Sequence, residues 1–298
     1  MKTGTVLSCV LSLAVIAFVS PVYSQTSEIE SMAPARTLGL AGMGRSFGSG
    51  ANALYLNPAA LRVVPQYVIS GTYGFSNAAP ATNTLGVGWT DSSPNLYNLA
   101  FGLGYNYRFH DDADSHNAHF ALAYSVVLSA MTIHLGVGAH RLWNVGGTDS
   151  NDWTGDMGMV LDFSRQFLLG VSGYNLITSN TKTSPRGVGG GLSYWRDRFM
   201  IGAEISMQAG LSDGESDDTE THLRYMGGLQ FMVAQPFSLR AGVNHNTATD
   251  RTAVSAGFTF LAQSILGFEA GYQQNVGDKN DFLLAFTIEL YNPFGSAL

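Results

Sequence analysis

The chain of 298 residues has 45% hydrophobic residues, 35 glycines and only 12% charged residues. A soluble globular domain usually carries about twice that charged fraction, and 22 acidic against 15 basic residues argue against nucleic acid as a partner. Beyond the N-terminal leader no apolar run is long enough for a transmembrane helix, so the composition favours a transmembrane β-barrel in which alternate residues face lipid.

Residues 1–24 are predicted to be a secretory signal peptide. Met1 to Thr3 precede the apolar stretch Val6 to Val19, and Val22 to Ser24 form a plausible cleavage site. Cys9 is the only cysteine and would leave with the leader. A lipoprotein anchor at Cys9 is a poor alternative, because most of the apolar segment follows the cysteine. The mature chain is therefore expected to have no disulfide and no thiolate metal site.

Residues 25–65 are predicted to be a periplasmic lead-in followed by a plug. The segment Leu38 to Leu61 is rich in glycine and lacks the period-2 alternation of a membrane strand. Asn57-Pro58 is a turn dipeptide within it. A segment with close-packed backbone of this kind has to be surrounded by other parts of the protein. We therefore expect it to fold inside a barrel built by residues 66–298.

The remainder of the chain reads as fourteen strands, each near the ten or so residues that cross a bilayer at a tilt. An even number of antiparallel strands closes a barrel without a free edge, which lipid demands because unpaired backbone groups are costly there. The predicted strands are 66–75, 83–90, 97–109, 117–127, 131–143, 153–163, 166–175, 186–195, 198–208, 221–233, 237–245, 251–261, 264–274 and 282–292.

The connections alternate in length. Ser164-Arg165 and Arg196-Asp197 are examples of short ones, and 177–185 and 209–220 are examples of long ones. In outer-membrane barrels the short turns are periplasmic and the long loops extracellular. This pattern predicts that both termini lie in the periplasm.

Alternation also assigns side chains to the inner or the outer face of the barrel. A base facing lipid at mid-depth would cost roughly 2 to 4 kcal/mol, so charged residues are expected inside. They can form a polar network with one another and with the plug, which is the favoured interpretation, or the arginines among them can hold a ligand carboxylate. The predicted inward charges are Arg108, Asp156, Asp162, Glu204, Arg224, Arg240, Glu269 and Glu289.

Two further residue types follow the alternation. Many inner positions are glycine, which leaves room for the plug or, alternatively, for an apolar path or a kinked strand. The four tryptophans lie near strand ends, where aromatic girdles belong. The glycines are Gly86, Gly88, Gly102, Gly104, Gly136, Gly138, Gly187, Gly189 and Gly191; the tryptophans are Trp89, Trp143, Trp153 and Trp195.

The sequence predicts no metal, no cofactor and no catalytic site. The loop His110 to His116 and the acidic stretch Ser212 to Asp218 have oxygen ligands but match no defined spacing, so solvated loops are favoured. His134 and His140 lie on one strand about 20 Å apart and cannot share an ion. The glycine run 187–191 lacks the strand-turn-helix context of a dinucleotide site, and no nucleophile and base stand in a catalytic order.

Two motifs carry a family resemblance. ARTLGLAGMG at Ala35 to Gly44 and ANALYLNPAALR at Ala51 to Arg62, followed by alternating strands, resemble the FadL-like outer-membrane proteins and their shorter PorV-type relatives. The resemblance implies a hatch whose Asn-Pro-Ala motif, here Asn57, Pro58 and Ala59, plugs a fourteen-stranded barrel. Relatives often carry acidic residues just before the second motif, where this chain has Gly48-Ser49-Gly50.

The same resemblance implies two functions. The first is passage of fatty-acid-like hydrophobic molecules across the outer membrane of a diderm bacterium, with Leu54, Tyr55, Leu56, Asn57, Pro58 and Ala59 as hatch or ligand-binding residues and Arg108, Arg224 and Arg240 as lumen candidates. The second is a PorV-like anchor for a surface or periplasmic protein, which the short outer loops favour. Lipid and lipopolysaccharide are the other expected partners. A water-filled pore is disfavoured, because a plug would block it.

Overall fold

A computed structural model describes residues 34–77, 81–93, 96–109, 114–145, 151–164, 166–178, 184–209, 221–263 and 265–292. The predicted signal peptide and the acidic stretch 212–218 lie outside these residues, as does much of the loop 110–116. Among the residues described, no helix has both the length and the apolar character needed to cross a membrane.

From Pro34 onward, in the part of the chain that the structure describes, three short helical segments precede fourteen strands. Helix α1 is Ala35–Gly39, helix α2 is Ala51–Leu56, and a 3-10 helix spans Pro58–Arg62. Every predicted strand is present, with its ends within three residues of the prediction. The strands are β1 Tyr67–Ser76, β2 Thr82–Asp91, β3 Leu99–Phe109, β4 Asp114–Val127, β5 Thr132–Val145, β6 Asn151–Phe163, β7 Phe167–Tyr174, β8 Gly187–Arg196, β9 Phe199–Ala209, β10 Thr221–Ala234, β11 Phe237–Asn246, β12 Arg251–Ala262, β13 Leu266–Asn275 and β14 Phe282–Tyr291.

The strands form one closed antiparallel barrel, as predicted. Each strand pairs with its neighbours in sequence, and β1 pairs with β14 from Val68↔Tyr291 to Ser76↔Leu283. The closed ladder satisfies the backbone groups of the strands within the barrel and leaves no edge, which is the condition for spanning lipid. One register shift, between Met232 and Ala234 of β10, interrupts the pairing with β11.

Alternation sorts the side chains as expected. In β3 the exposed Leu99 and Leu103 point outward, while the buried Ala100 and Asn106 point into the lumen. The predicted start of this strand was two residues too early, because Tyr97 and Asn98 have φ of 48° and 72° and form the turn before it. Asn98 therefore has no place on the inner face.

Trp195 is not part of an aromatic girdle. It has the same parity along β8 as the buried, inward Ser193, and its ring meets the ring of Phe47 edge to face, with centroids 6.3 Å apart. Trp153, in contrast, is exposed on the outer face near the start of β6, as predicted. The position of a tryptophan near a strand end thus did not determine which face it occupies.

Residues 34–65, which we call the plug, lie inside the barrel and follow its circumference. Helix α1 packs on β12 to β14, helix α2 on β2 to β4, and the 3-10 helix on β4 to β6. Most plug side chains are buried, among them Leu40, Met43 and Leu61, which pack in one apolar cluster with wall residues.

Inner glycines of the wall admit the backbone of the plug. A Cβ at Gly136 would overlap the backbone of Pro58 and Ala59, and one at Gly170 would overlap the backbone of Arg45 and Ser46. An added Cβ would also contact plug atoms at Gly88, Gly102, Gly104 and Gly189. It would instead contact side chains of the wall at Gly86, Gly138, Gly187 and Gly191. The favoured interpretation of the inner glycines therefore holds for part of the set.

The glycine fit gives a first prediction. Gly136→Ala should lower the free energy of unfolding by roughly 1 to 3 kcal/mol, because the added methyl overpacks the site where the plug backbone rests on the wall. Gly227→Ala is the matched control, since the nearest atom to its added Cβ is 4.0 Å away. The check is urea unfolding of the refolded barrel. Equal stability of the two variants would contradict the close fit.

Candidate functional site

Asn57 joins the plug to itself and to the wall. Its side chain is fully buried, and Nδ2 donates to the carbonyl of Arg45 at 2.6 Å. The same nitrogen lies 3.4 Å from the carbonyls of Met159 and Val171, which pair across β6 and β7. Its Oδ1 accepts from the Ala59 N–H at 3.1 Å and caps the 3-10 helix that Pro58 begins. One amide therefore fixes two plug segments against two strands.

Gly158 explains why the asparagine can reach that position. A Cβ at Gly158 would overlap Oδ1 of Asn57. The motif therefore requires a glycine about a hundred residues away on the facing strand.

The other predicted hatch residues form the apolar part of the plug. Leu54, Tyr55 and Leu56 of α2 are all buried. Leu54 and Tyr55 lie over Gly104, and the Tyr55 ring contacts the ring of His119 edge to face with centroids 4.7 Å apart. The plug residues predicted as a site are thus brought together, on the side of the barrel formed by β2 to β7.

Glu204 of β9 binds the plug at the turn after α1. One oxygen of this buried carboxylate accepts from the N–H groups of Gly44 at 2.9 Å and Arg45 at 2.7 Å. The other lies 3.4 Å from the guanidinium of Arg45. The carboxylate is therefore matched by both backbone dipoles and a charge, as a buried charge must be.

Glu269 of β13 forms a second attachment. Its Oε1 lies 3.3 Å from Nε of Arg36 in the plug and 3.1 Å from Nη2 of Arg240 in β11, and it accepts from Thr259 at 2.8 Å. Arg36 also donates to Ser49 at 3.0 Å. The carboxylate thus bridges the plug and two wall strands.

Arg62 makes the third attachment, at the end of the plug. Its Nη1 donates to the carbonyls of Ser92 at 2.8 Å and Leu99 at 3.1 Å, and its Nε donates to Ser125 at 3.2 Å. Ser92 in turn bonds to the carbonyls of Val64 and Gln66, where the chain leaves the plug for β1. The exit of the plug is thereby pinned to the turn before β3.

The three lumen arginines do not converge. Arg240 of β11 lies opposite Gln230 of β10. Gln230 is six residues from Arg224 along β10, so Arg240 and Arg224 are separated by about 20 Å along the strands. Arg108 lies on β3, outside that part of the barrel. Arg240 also donates to Gln230 at 2.9 Å, in addition to its contact with Glu269. The favoured expectation, a polar network with the plug, is confirmed for Arg240, Glu204 and Glu269.

Sequence reasoning missed the arginines of the plug, although the signal was present. Between Pro34 and Pro65 the only charged residues are Arg36, Arg45 and Arg62. Alternation along the strands places Glu204 and Glu269 on the inner face. The plug carries only positive charge, and the wall around it has inward glutamates. This pattern predicts ion pairs between plug arginines and wall glutamates, but it does not indicate which residues pair.

A groove of about 680 Å³ lies mainly on the outer face of the barrel around Gly71. A Cβ at Gly71 would meet nothing within 4 Å, so the glycine forms the floor of an open furrow. On the inner side of this wall Thr72 and Thr287 bond to each other at 3.0 Å, and the Ala35 N–H donates to Thr287. The groove is lined by Gly71, Thr72, Tyr73, Leu85, Gly86, Val87, Tyr105, Tyr107, His116, Phe268, Phe286 and Ile288.

Comparison with known proteins identifies the fold. A Pseudomonas aeruginosa FadL homologue is similar with a TM-score of 0.65 and 12% identity, over 93% of this chain and 100% of that one. The Ralstonia pickettii toluene transporter TbuX is similar with a TM-score of 0.62 and 10% identity, over 89% of this chain and 98% of that one. The Pseudomonas putida toluene transporter TodX is similar with a TM-score of 0.62 and 12% identity, over 91% of this chain and 98% of that one. No known family matches the sequence, and no curated protein does.

The attachment at Glu204 gives a second prediction. Glu204→Ala should destabilise docking of the plug by about 3 to 5 kcal/mol, because Arg45 and the N–H groups of Gly44 and Arg45 stay buried without their partner. The check is limited trypsin digestion of the folded barrel, which should then cleave after Arg45.

Asp281→Ala is the control for this prediction. It breaks the pair of Arg251 with Asp281 at 2.7 Å, in which the arginine side chain is 56% exposed. An exposed pair contributes at most about 1 kcal/mol, so the plug should stay resistant to trypsin. Resistance of Glu204→Ala as well would show that Glu204 does not retain the plug.

Proposed function

We propose that the protein binds hydrophobic small molecules and passes them across the outer membrane, with the plug as the gate. The observation that carries the proposal is the plug itself, which fills the lumen of a FadL-type barrel with an apolar cluster. The solved structures of the same fold include proteins described as toluene transporters. A segment that fills the lumen has to move before a solute can pass, so the plug is the gate of this proposal.

The contacts of α2 favour an apolar solute. Ala53 and Leu54 of α2 pack in one cluster with Ala100, Ala121 and Ala123 of the wall. Displacing α2 uncovers methyl groups and glycines. Burial of hydrocarbon against this surface is favourable by a free energy of about 25 cal/mol per Å². A solute that replaces α2 there therefore recovers part of the lost contact energy.

The arginine contacts make us propose uncharged molecules ahead of carboxylates. The guanidinium of Arg240 is already bonded to Glu269, Gln230 and Thr259. A fatty acid would have to compete with the buried Glu269 for that group. A small uncharged molecule requires no such exchange.

The groove around Gly71 supports a sideways exit. Its floor is the wall between β14, β1 and β2, and the start of the plug bonds to the inner side of the same wall through Ala35 and Thr287. Helix α2 packs on β2 to β4 from inside, so its movement would loosen the β2 side of the wall that the groove lines on the outside. We assign the end with the short turns, where β1 begins and β14 ends, to the periplasm.

A PorV-like anchor for a secreted or surface protein is the second candidate. The connections at the end of the barrel opposite the start of β1 support it: the longest, between Tyr174 and Gly187, has twelve residues, and Asn246 and Arg251 are separated by only four. Such short connections give little material for a vestibule that collects ligand. The anchor needs no movement of the plug, and this separates the two functions experimentally.

A disulfide between plug and wall tests the gate. The Cβ of Ala51 lies 3.0 Å from a Cβ built on Gly88, so Ala51→Cys with Gly88→Cys needs a shift of less than about 1 Å to reach disulfide geometry. The only native cysteine is Cys9. In cells with this variant in the outer membrane, uptake of toluene should be lost under oxidation and restored by a reductant.

Gly74→Cys with Thr84→Cys is the matched control, because it links β1 to β2 within the wall at a Cβ separation of 3.6 Å. Uptake should continue in this variant under oxidation. Equal uptake by the plug-locked and the wall-locked proteins would refute gating by the plug. Co-purification of one partner protein at a constant ratio with both, without uptake in either, would leave the anchor as the function.

A further inference from the structure

Three potential metal ligands meet on the inner face of consecutive strands. His119 of β4 pairs directly with His140 of β5, and Asp156 of β6 pairs with Gly138, two residues from His140. All three have inward parity. One ring nitrogen of each histidine and one carboxylate oxygen lie within 4.8 Å of one another.

The two histidine side chains are buried, Asp156 is partly exposed, and one histidine ring nitrogen lacks a partner. His119 is 6% exposed and His140 is 1% exposed. Their rings stack with centroids 4.5 Å apart, and Nδ1 of His140 lies 3.0 Å from Oδ2 of Asp156. Nε2 of His119 is buried without a hydrogen bond within the described part of the chain. A buried polar atom left unmatched is costly unless something else binds it.

The surroundings hold the carboxylate in place. The N–H of Asn175 donates to Oδ1 of Asp156 at 2.9 Å, and Oδ2 leans over Gly138, where a side chain would crowd it. On the other side the Tyr55 ring packs against His119. Hydrogen bonds and packing of this kind orient the ligands in known metal sites.

We propose that His119, His140 and Asp156 bind a divalent transition-metal ion of the zinc class in the lumen beside the plug. Two imidazole nitrogens and one carboxylate oxygen are a ligand set that Zn²⁺ uses, with a fourth position left for water. Ligand atoms on one tetrahedral ion with bonds near 2.1 Å are separated by about 3.4 Å. Small changes of side-chain rotamer therefore have to bring the three atoms together.

The site is adjacent to helix α2. Because Tyr55 packs on a ligand, binding of the ion fixes the wall surface on which the plug rests. His134, on the same strand β5 as His140, is not part of a comparable group of ligands. It bonds to Ser125 at 2.7 Å and lies 4.0 Å from Asp162. The proposal is independent of transport, because a plugged anchor could hold the same ion.

The test uses the full mature protein in detergent, without a polyhistidine tag. After removal of metal with a chelator and dialysis against Zn²⁺, elemental analysis should give one zinc ion per chain. Titration with Co²⁺ should give the visible absorption of a tetrahedral site. His119→Gln and His140→Gln should each weaken binding by at least about 100-fold, since loss of an outer partner alone costs 10- to 100-fold.

Two controls separate metal binding from bracing of the barrel. Asp156→Asn keeps the size of the side chain and an acceptor for His140, so the barrel should stay folded by heat-dependent gel migration while the metal affinity falls. His116→Gln removes a histidine from the outer face of the same strand β4 and should leave affinity unchanged. The site is refuted if no zinc is retained at one per chain, or if Asp156→Asn and His119→Gln bind it as tightly as the parent.

Discussion

The position of the plug depends on three arginines in a segment without any other charge. Arg36, Arg45 and Arg62 are attached to three sectors of the wall: β11 with β13, β9, and the turn before β3. A single attachment would leave the plug free to rotate in the lumen. Three of them, spread around the circumference, determine which plug residue faces which strand, and the close contacts with glycine depend on that registration.

Ion pairs of this kind contribute specificity more than stability. Removing two charges from water costs several kcal/mol for each, and the attraction between them roughly offsets this cost. What stabilises the docked plug is burial of apolar side chains such as Leu40, Met43 and Leu61. The pairs instead penalise every misplaced arrangement, because a shifted plug would leave a guanidinium and a carboxylate buried apart.

The wall was largely predictable from the sequence, because lipid imposes a strict rule on it. Every strand must alternate, and charges at mid-depth must point inward, so strand positions and the inward placement of Glu204 and Glu269 followed from the pattern alone. The assignment of tryptophans near strand ends to an outer girdle fails where the plug, and not water, fills the lumen. Trp195 looked like a girdle residue but points inward, since the plug offers it the ring of Phe47.

The site was less predictable, because its parts are far apart in the sequence. Asn57 could be identified as a plug residue from its motif, but not the Gly158 that makes room for it. His119, His140 and Asp156 meet only through the register of three strands. A one-residue slip in either pairing would move a ligand to the opposite face, and strand ends predicted to within a few residues cannot determine such a register.

The two halves of the plug differ in how they are held. The first, from Ala35 to Ser46, carries the pairs with Glu269 and Glu204, whereas α2 has no charged residue and rests on alanines and glycines. Displacing the first half leaves the buried Glu204 without Arg45, and breaking such a buried pair costs about 3 to 5 kcal/mol, whereas Glu269 keeps Arg240. Displacing α2 breaks apolar contacts, which an apolar solute can replace, and hydrogen bonds such as those from Ser172 to the carbonyl of Leu56 and from Thr37 to Asn52, but no ion pair. In the gate that we propose, the mobile element is therefore α2, next to the His119 ring, and the arginine-bound half is its fixed support.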